Sequence, residues 1–247
     1  MPNSFPPAVD VDVSSDLEAL SQNAAHRVRS IIERTLVDQD LFALALAGGR
    51  TPRRLYELLA EDALPWNQIH LFWGDERLVP HNHPKSNVRL VRDTLLNATD
   101  VPEENVHPMP VSDPPETAAT AYANTLHHAF ADRPHTFDLA LFGMGTDGHT
   151  ASLFPEHDPS PTDSKWVRAV SAPPRHDIAQ RLTCTLPVFN AARHGLVLVS
   201  GAEKRKTVEA ALGNRDDSLP ITRLRPRNQL VWLLDEEASP SRNRSSP

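Results

Sequence analysis

The chain has 247 residues and a formal net charge of −7, enough length for one large α/β domain or two small ones with a real core. That acidity removes any general electrostatic case for nucleic acid or an anionic membrane, so an anionic ligand has to be met by local cations. The single cysteine, Cys184, excludes an intramolecular disulfide framework and a cysteine-based zinc site.

Residues 1–12 are rich in proline and aspartate and are expected to be a flexible segment. They show no basic n-region followed by an apolar run, and no stretch approaches a membrane span; the cytoplasm is the default compartment. From Ser15 to about Val37, Leu17, Leu20, Ala24, Val28, Ile31 and Ile32 recur at helical spacing behind a Ser-Asp start. Leu41 to Ala47 is wholly apolar and reads as the first central strand. It stops at Gly48-Gly49-Arg50-Thr51-Pro52, where Pro52 suits the first turn of a helix reaching Glu61. Ile69 to Trp73 is a second short strand, followed by Gly74-Asp75-Glu76-Arg77 and a loop rich in His and Pro. Ser86-Asn87 cap a helix to about Leu96.

A proline-punctuated connection over 98–113 leads to a helix from Pro115 to about Ala131. Phe137 to Phe142 is another buried strand, and Gly143 to Gly148 a glycine turn. Trp166 to Val170 and Arg181 to Thr185 read as strands, Pro187 to Arg193 as a short helix, and Gly195 to Ser200 as a buried strand. Cys184 falls in an alternating apolar stretch, as a packing residue would. Gly201-Ala202-Glu203-Lys204 opens a helix ending near Gly213, and Leu230 to Leu234 is the last strand. The expected organisation is one α/β domain over 13–235 and a disordered tail over 236–247. Alternating strands and helices imply a mostly parallel sheet with helices on both faces.

The strands ending at Ala47, Trp73, Phe142 and Ser200 share a feature: glycine and polar or charged residues follow at once. In a parallel sheet those turns lie along one edge, where ligands bind. Main-chain N–H groups of Gly48, Gly49 and Thr51 at a helix N-terminus suit a phosphate, and Arg50 adds charge. Lys204, at the opening of another helix, and Arg181, at the start of a strand, are further cations for a phosphomonoester. His149 beside Asp147 is the best acid-base candidate. Asp75 is a second possible orienting partner, and Arg77 a group that can stabilise charge developing on a substrate oxygen.

Three other chemistries are disfavoured. Gly143-Met144-Gly145-Thr146-Asp147-Gly148 spells the dinucleotide pattern, but Ser152-Leu153-Phe154-Pro155 with Pro159 and Pro161 cannot continue the crossover helix that pattern requires. A metal site assembled from His81, His83, Asp75, Glu76 and His149 lacks any helical ligand spacing. No G-x-S-x-G elbow supports a serine nucleophile at Ser152. Neither a cofactor nor a metal is expected.

Several blocks together resemble the 6-phosphogluconolactonases. They are Leu46 to Pro52, Trp73 to Arg77 with Val79 and Ser86-Asn87, Asp138 to Pro155, Pro173-Pro174 with Arg181-Leu182-Thr183, and Gly201 to Lys204. The resemblance runs from about Leu41 to Leu234. It implies a modified Rossmann-like fold shared with glucosamine-6-phosphate deaminases and ribose-5-phosphate isomerases. It also implies metal-free hydrolysis of 6-phospho-D-glucono-1,5-lactone in the oxidative pentose phosphate pathway. His149 would be the general base supported by Asp147, Arg77 would stabilise substrate charge, and Gly48 to Thr51 with Arg181 and Lys204 would hold the 6-phosphate. Arg50 departs from the serine common in that family, so its contact to phosphate is open. Deaminases share the D-G-H but continue differently from Ala151-Ser152-Leu153-Phe154-Pro155. A sugar-phosphate deaminase or isomerase is the alternative enzyme. A non-catalytic sensor of the same fold is the alternative binding protein, although no helix-turn-helix or basic arm accompanies it. The ligand is a small molecule, and the oligomeric state is left open with a monomer favoured.

Overall fold

Short apolar runs closed by glycine turns suit central strands, which pair their backbone groups with neighbouring strands and bury both faces, and the computed structural model uses them in that way. It describes residues 9–111, 114–213 and 216–240. The chain opens with β1 (Val9–Ser14), α1 (Leu17–Thr35), β2 (Phe42–Leu46), α2 (Thr51–Glu61) and β3 (Ile69–Trp73). After β4 (Asp75–Arg77), α3 (Asn87–Thr94), β5 (Val106–His107) and α4 (Pro115–Ala129) comes β6 (Leu139–Gly143). The remainder is β7 (Val167–Ser171), β8 (Gln180–Cys184), α5 (Leu186–Asn190), β9 (His194–Val199), α6 (Arg205–Leu212) and β10 (Gln229–Asp235).

Seven strands form one parallel sheet in the order β1-β10-β9-β6-β2-β3-β5, with helices covering its faces. From β2 the chain builds outward through β3 to β5, and from β6 through β9 to β10 in the opposite direction. The reversal falls between β2 and β6, so a crevice opens at their carboxyl ends, the usual ligand position in open α/β sheets. The turns after Leu46 and Gly143 therefore face each other, and a Cβ on Gly143 would lie 4.0 Å from the Gly48 carbonyl oxygen. The parallel sheet and its helices match the expected fold class.

Three features were not foreseen. Residues 9–12, expected to be flexible, lie in β1, which pairs in parallel with β10 from Val9↔Leu230 to Ser14↔Asp235; residues 1–8 lie outside the described residues. β1 is an edge strand whose Val11 and Val13 are exposed, while Asp12 on the other face pairs with Arg27 of α1. At the other end, 236–240 are not loose. The Asp235 carboxylate accepts the N–H of Ala238 at 2.8 Å and that alanine is buried; the expectation for 241–247 lies outside the described residues. Thirdly, β4, β8 and β7 form a separate antiparallel sheet in the order β4-β8-β7. Asp75–Arg77, expected in the turn that closes the Ile69 to Trp73 strand, is its edge strand.

One contiguous core runs from Leu20 to Ala238 and includes Trp73, Phe142, Leu182 and Trp232. Cys184 is fully buried and free, its thiol 3.8 Å from the Trp73 carbonyl, and burial pushes its pKa up. Among the described residues, no helix is long and apolar enough to cross a membrane.

Candidate active site

Four turns at the carboxyl edge of the parallel sheet, joined by β4 and β8 of the small sheet, enclose a cleft of about 220 Å³. Gly48, Gly49, Arg50, Thr51, Asp75, Arg77, His149, Arg181 and Lys204 all line it. Of the ten residues singled out in the sequence, only Asp147 does not, because it stands behind His149.

The first turn is held by a tyrosine. Tyr56 Oη donates to the Ala47 carbonyl at 2.7 Å and accepts the Ala47 N–H at 2.9 Å, fixing where β2 ends. Gly48 is pressed against Asn87, where a Cβ would meet Oδ1 at 1.9 Å. Gly49 takes φ +105 and has open space where a side chain would be. Helix α2 then starts at Thr51 with Pro52 in its first turn and no side-chain cap, so its leading N–H groups remain available to an anion. The Arg50 side chain is 97% exposed and sits 3.9 Å from Glu203, which also lines the cleft.

Burial of a carboxylate positions Arg77. Glu76 is fully buried and accepts N–H bonds from Arg77, Asn87 and Val88 at 2.7–2.8 Å and the Ser86 hydroxyl at 2.9 Å. Burial raises its pKa, and those four donors work against the rise. The effect is to weld β4 to the start of α3 and aim Arg77 at the cleft. Arg77 Nη1 donates to the Lys85 carbonyl at 2.6 Å, and its Nε is buried without a partner. Directly across the ladder stands Arg181, paired with Arg77 in register. Two cations facing each other repel, and neither has a carboxylate within salt-bridge distance among the described residues. Arg181 is 7% exposed, lies over the Phe154 ring at 6.0 Å, and burial lowers its pKa.

The third turn carries the histidine. Gly145 N–H donates to the His149 carbonyl at 2.9 Å, and Gly148 N–H to the Gly145 carbonyl at 3.1 Å, so the loop folds back on itself. Gly148 takes φ +78 and Ala151 φ +49, the latter a strained conformation for a residue with a Cβ. Asp147 Oδ1 accepts the backbone N–H of His149 at 3.1 Å and lies 2.5 Å from its Nδ1. Its other oxygen pairs with Arg175. Burial acts to raise the Asp147 pKa, but hydrogen bonds from His149 and Arg175 and the histidine's charge outweigh it and hold the carboxyl well below its usual range. Asp75 has other partners: Oδ2 accepts the buried Ser152 hydroxyl at 2.7 Å and Oδ1 the Asn87 amide at 3.1 Å. The geometry thus gives the bracing of His149 to Asp147, and Ser152 is a structural donor to Asp75.

The fourth turn, after β9, takes Gly201 at φ +103, its N–H bound by Asp235 at 3.0 Å. Lys204 follows, half-buried and without an ion pair among the described residues; burial lowers its pKa.

Arg175 and His176 were missed. They follow Pro173-Pro174 in the loop between β7 and β8, and only that proline pair drew notice. Arg175 bridges Asp147 and Glu156, the latter at 2.7 Å, and the His176 ring stands edge-on to His149 at 5.2 Å. Asp147, His149 and His176 bring one ligand atom each within 4.8 Å of one another, the arrangement among the described residues that could hold a metal ion. His81 and His83 do not join it: they bond the Met109 carbonyl and the Lys85 N–H.

The fold and cleft define an α/β enzyme with a histidine-carboxylate pair set among cations suited to a phosphate. The model of the glucosamine-6-phosphate isomerases/6-phosphogluconolactonase family matches residues 15–232, and the chain belongs to that family. It is 41% identical over 237 residues to a 6-phosphogluconolactonase of Synechocystis, covering 94% of this chain and 97% of the relative. The crystal structure of a 6-phosphogluconolactonase from Thermotoga maritima superposes with a TM-score of 0.84 at 32% identity, covering 93% of this chain and all of that one. A monomeric glucosamine-6-phosphate deaminase shares the fold at a TM-score of 0.81 and 22% identity.

Proposed function

We propose that the chain hydrolyses 6-phospho-D-glucono-1,5-lactone to 6-phospho-D-gluconate, the lactone step of the oxidative pentose phosphate pathway. The observation that carries this reading is His149, braced by Asp147 at 2.5 Å, in one cleft with three cations, Arg77, Arg181 and Lys204. The names borne by the relatives of similar length support the substrate.

With Nδ1–H given to Asp147, Nε2 of His149 is the nitrogen left to take a proton from water. The water oxygen bonds to the lactone C1, and the negative charge gathering on the carbonyl oxygen is met by Arg77. Collapse breaks the bond from C1 to the ring oxygen, which takes the proton back from His149 and becomes the C5 hydroxyl. The new carboxylic acid ionises, releasing one proton to solution. The α2 N-terminus, Arg181 and Lys204 hold the 6-phosphate, and no metal takes part in this scheme.

Proton release on adding fresh lactone, measured against spontaneous hydrolysis, tests the proposal. The expected result is acceleration that is unaffected by EDTA and reduced about 10²–10⁴-fold in His149→Ala, with product binding retained. No acceleration, or ammonia released from glucosamine 6-phosphate instead, would assign the cleft to another reaction.

A further inference from the structure

Beside the cleft lies a larger hollow of about 510 Å³ whose outer wall the reaction above does not use. The two share Gly49, Arg50, Arg77 and Arg181 as lining. They communicate over Gly49, where nothing comes within 4 Å of the position a Cβ would take. The outer wall adds Arg53 from the first turn of α2, Arg89 from α3, Lys85 and Arg175, against two carboxylates, Asp93 and Asp177. Those carboxylates are already engaged, Asp93 by Arg89 at 3.3 Å and Asp177 by Lys85. Arg53 has no ion pair among the described residues. It and Arg50 stand at the positive end of the α2 dipole, where a cation is unfavourable and an anion favourable. In a chain of net charge −7, a concave surface with this surplus of guanidinium groups is built for an anion, and the planar fork of arginine matches phosphate. Its volume lies in the range of ordinary ligand pockets, about 300–1,000 Å³.

We propose that the groove is a second anion subsite, which takes the second phosphate of a ligand whose first phosphate occupies the cleft. Sugar bisphosphates are then competitive inhibitors that span the two. This rests on the phosphate-anchored cleft of the preceding subsection.

Calorimetric binding and inhibition of lactone hydrolysis by fructose 6-phosphate and fructose 1,6-bisphosphate, on the parent and on Arg53→Ala/Arg89→Ala, test it. The bisphosphate is expected to bind the parent on the order of tenfold more tightly or better. The double variant should lose that advantage while its lactone kinetics and monophosphate affinity stay unchanged. Equal affinity for the two sugars on the parent, or an advantage that survives in the variant, overturns the second subsite and leaves the cleft reading standing. Failure of the monophosphate to bind at all overturns the cleft reading, and the second subsite falls with it.

Discussion

Asp147 grips His149 twice with a single oxygen: Oδ1 accepts the backbone N–H at 3.1 Å and faces Nδ1 at 2.5 Å. The first contact sets the turn and the second favours the tautomer with a proton on Nδ1, so one side chain couples loop geometry to the protonation of the ring. Asp147→Asn keeps the shape and removes the charge that favours Nδ1–H. Turnover is expected to fall about 10²–10⁴-fold with KM little changed.

The same carboxylate gives a pH signature. Its pKa lies well below the ordinary range because the bonds from His149 and Arg175 outweigh the opposing effect of burial. A carboxylate depressed in the folded state contributes its full stability above the unfolded value, near 4, and loses it as pH falls through the folded value. The difference in melting temperature between parent and Asp147→Asn should therefore be widest near neutrality and shrink below about pH 4. A difference that did not vary with pH would show that Asp147 acts by packing alone.

Gly145 is the space in which this pair stands. A Cβ there would lie 2.0 Å from His149 Nδ1 and 2.5 Å from Asp147 Oδ1. Gly145→Ala must push the imidazole aside, and a misplacement of about 1 Å is expected to cost about 10²-fold in turnover. Unfolding by denaturant should change far less, since the loop lies outside the sheet. Near-parental activity in this variant would mean that the ring is not where the reaction needs it.

What was legible beforehand follows from which signals are local. Apolar runs such as Phe42–Leu46 and Leu139–Gly143 announce buried parallel strands, and the glycines after them announce turns that share one edge. That sufficed to gather nine of the ten residues around one cleft. Asp75–Arg77 gave no such sign, because its three residues are charged and become a strand only through pairing with Arg181–Thr183. Arg175 and His176 were invisible for a related reason: their partners, Asp147 and His149, lie 28 and 27 residues away in number and meet them only in the fold. The alternation in Val9–Ser14 was present but was outweighed by the proline-rich residues before it.

Glu76 tests how Arg77 is held. Its carboxylate accepts four donors inside the protein, and glutamine would turn an N–H₂ group toward some of them. Glu76→Gln is expected to lose about 1–3 kcal/mol of unfolding free energy, read from denaturant midpoints at unchanged slope. Activity should drop alongside, as β4 loosens from α3. Unaltered stability would mean that burial of the charge costs as much as its four bonds return.

Lys204 separates binding from chemistry. It is half-buried, lacks an ion pair among the described residues, and burial lowers its pKa. Lys204→Met keeps the aliphatic stem and deletes the charge. If the lysine holds the 6-phosphate, which the lactone carries alike in ground and transition states, its loss raises KM on the order of tenfold or more and leaves kcat nearly constant. Inhibition by sugar monophosphates should weaken by the same factor. In the parent, phosphate affinity should begin to fall at a lower alkaline pH than an unperturbed lysine would allow, because the charged form is lost sooner. A fall in kcat at constant KM would instead move Lys204 from the phosphate to the reacting carbonyl.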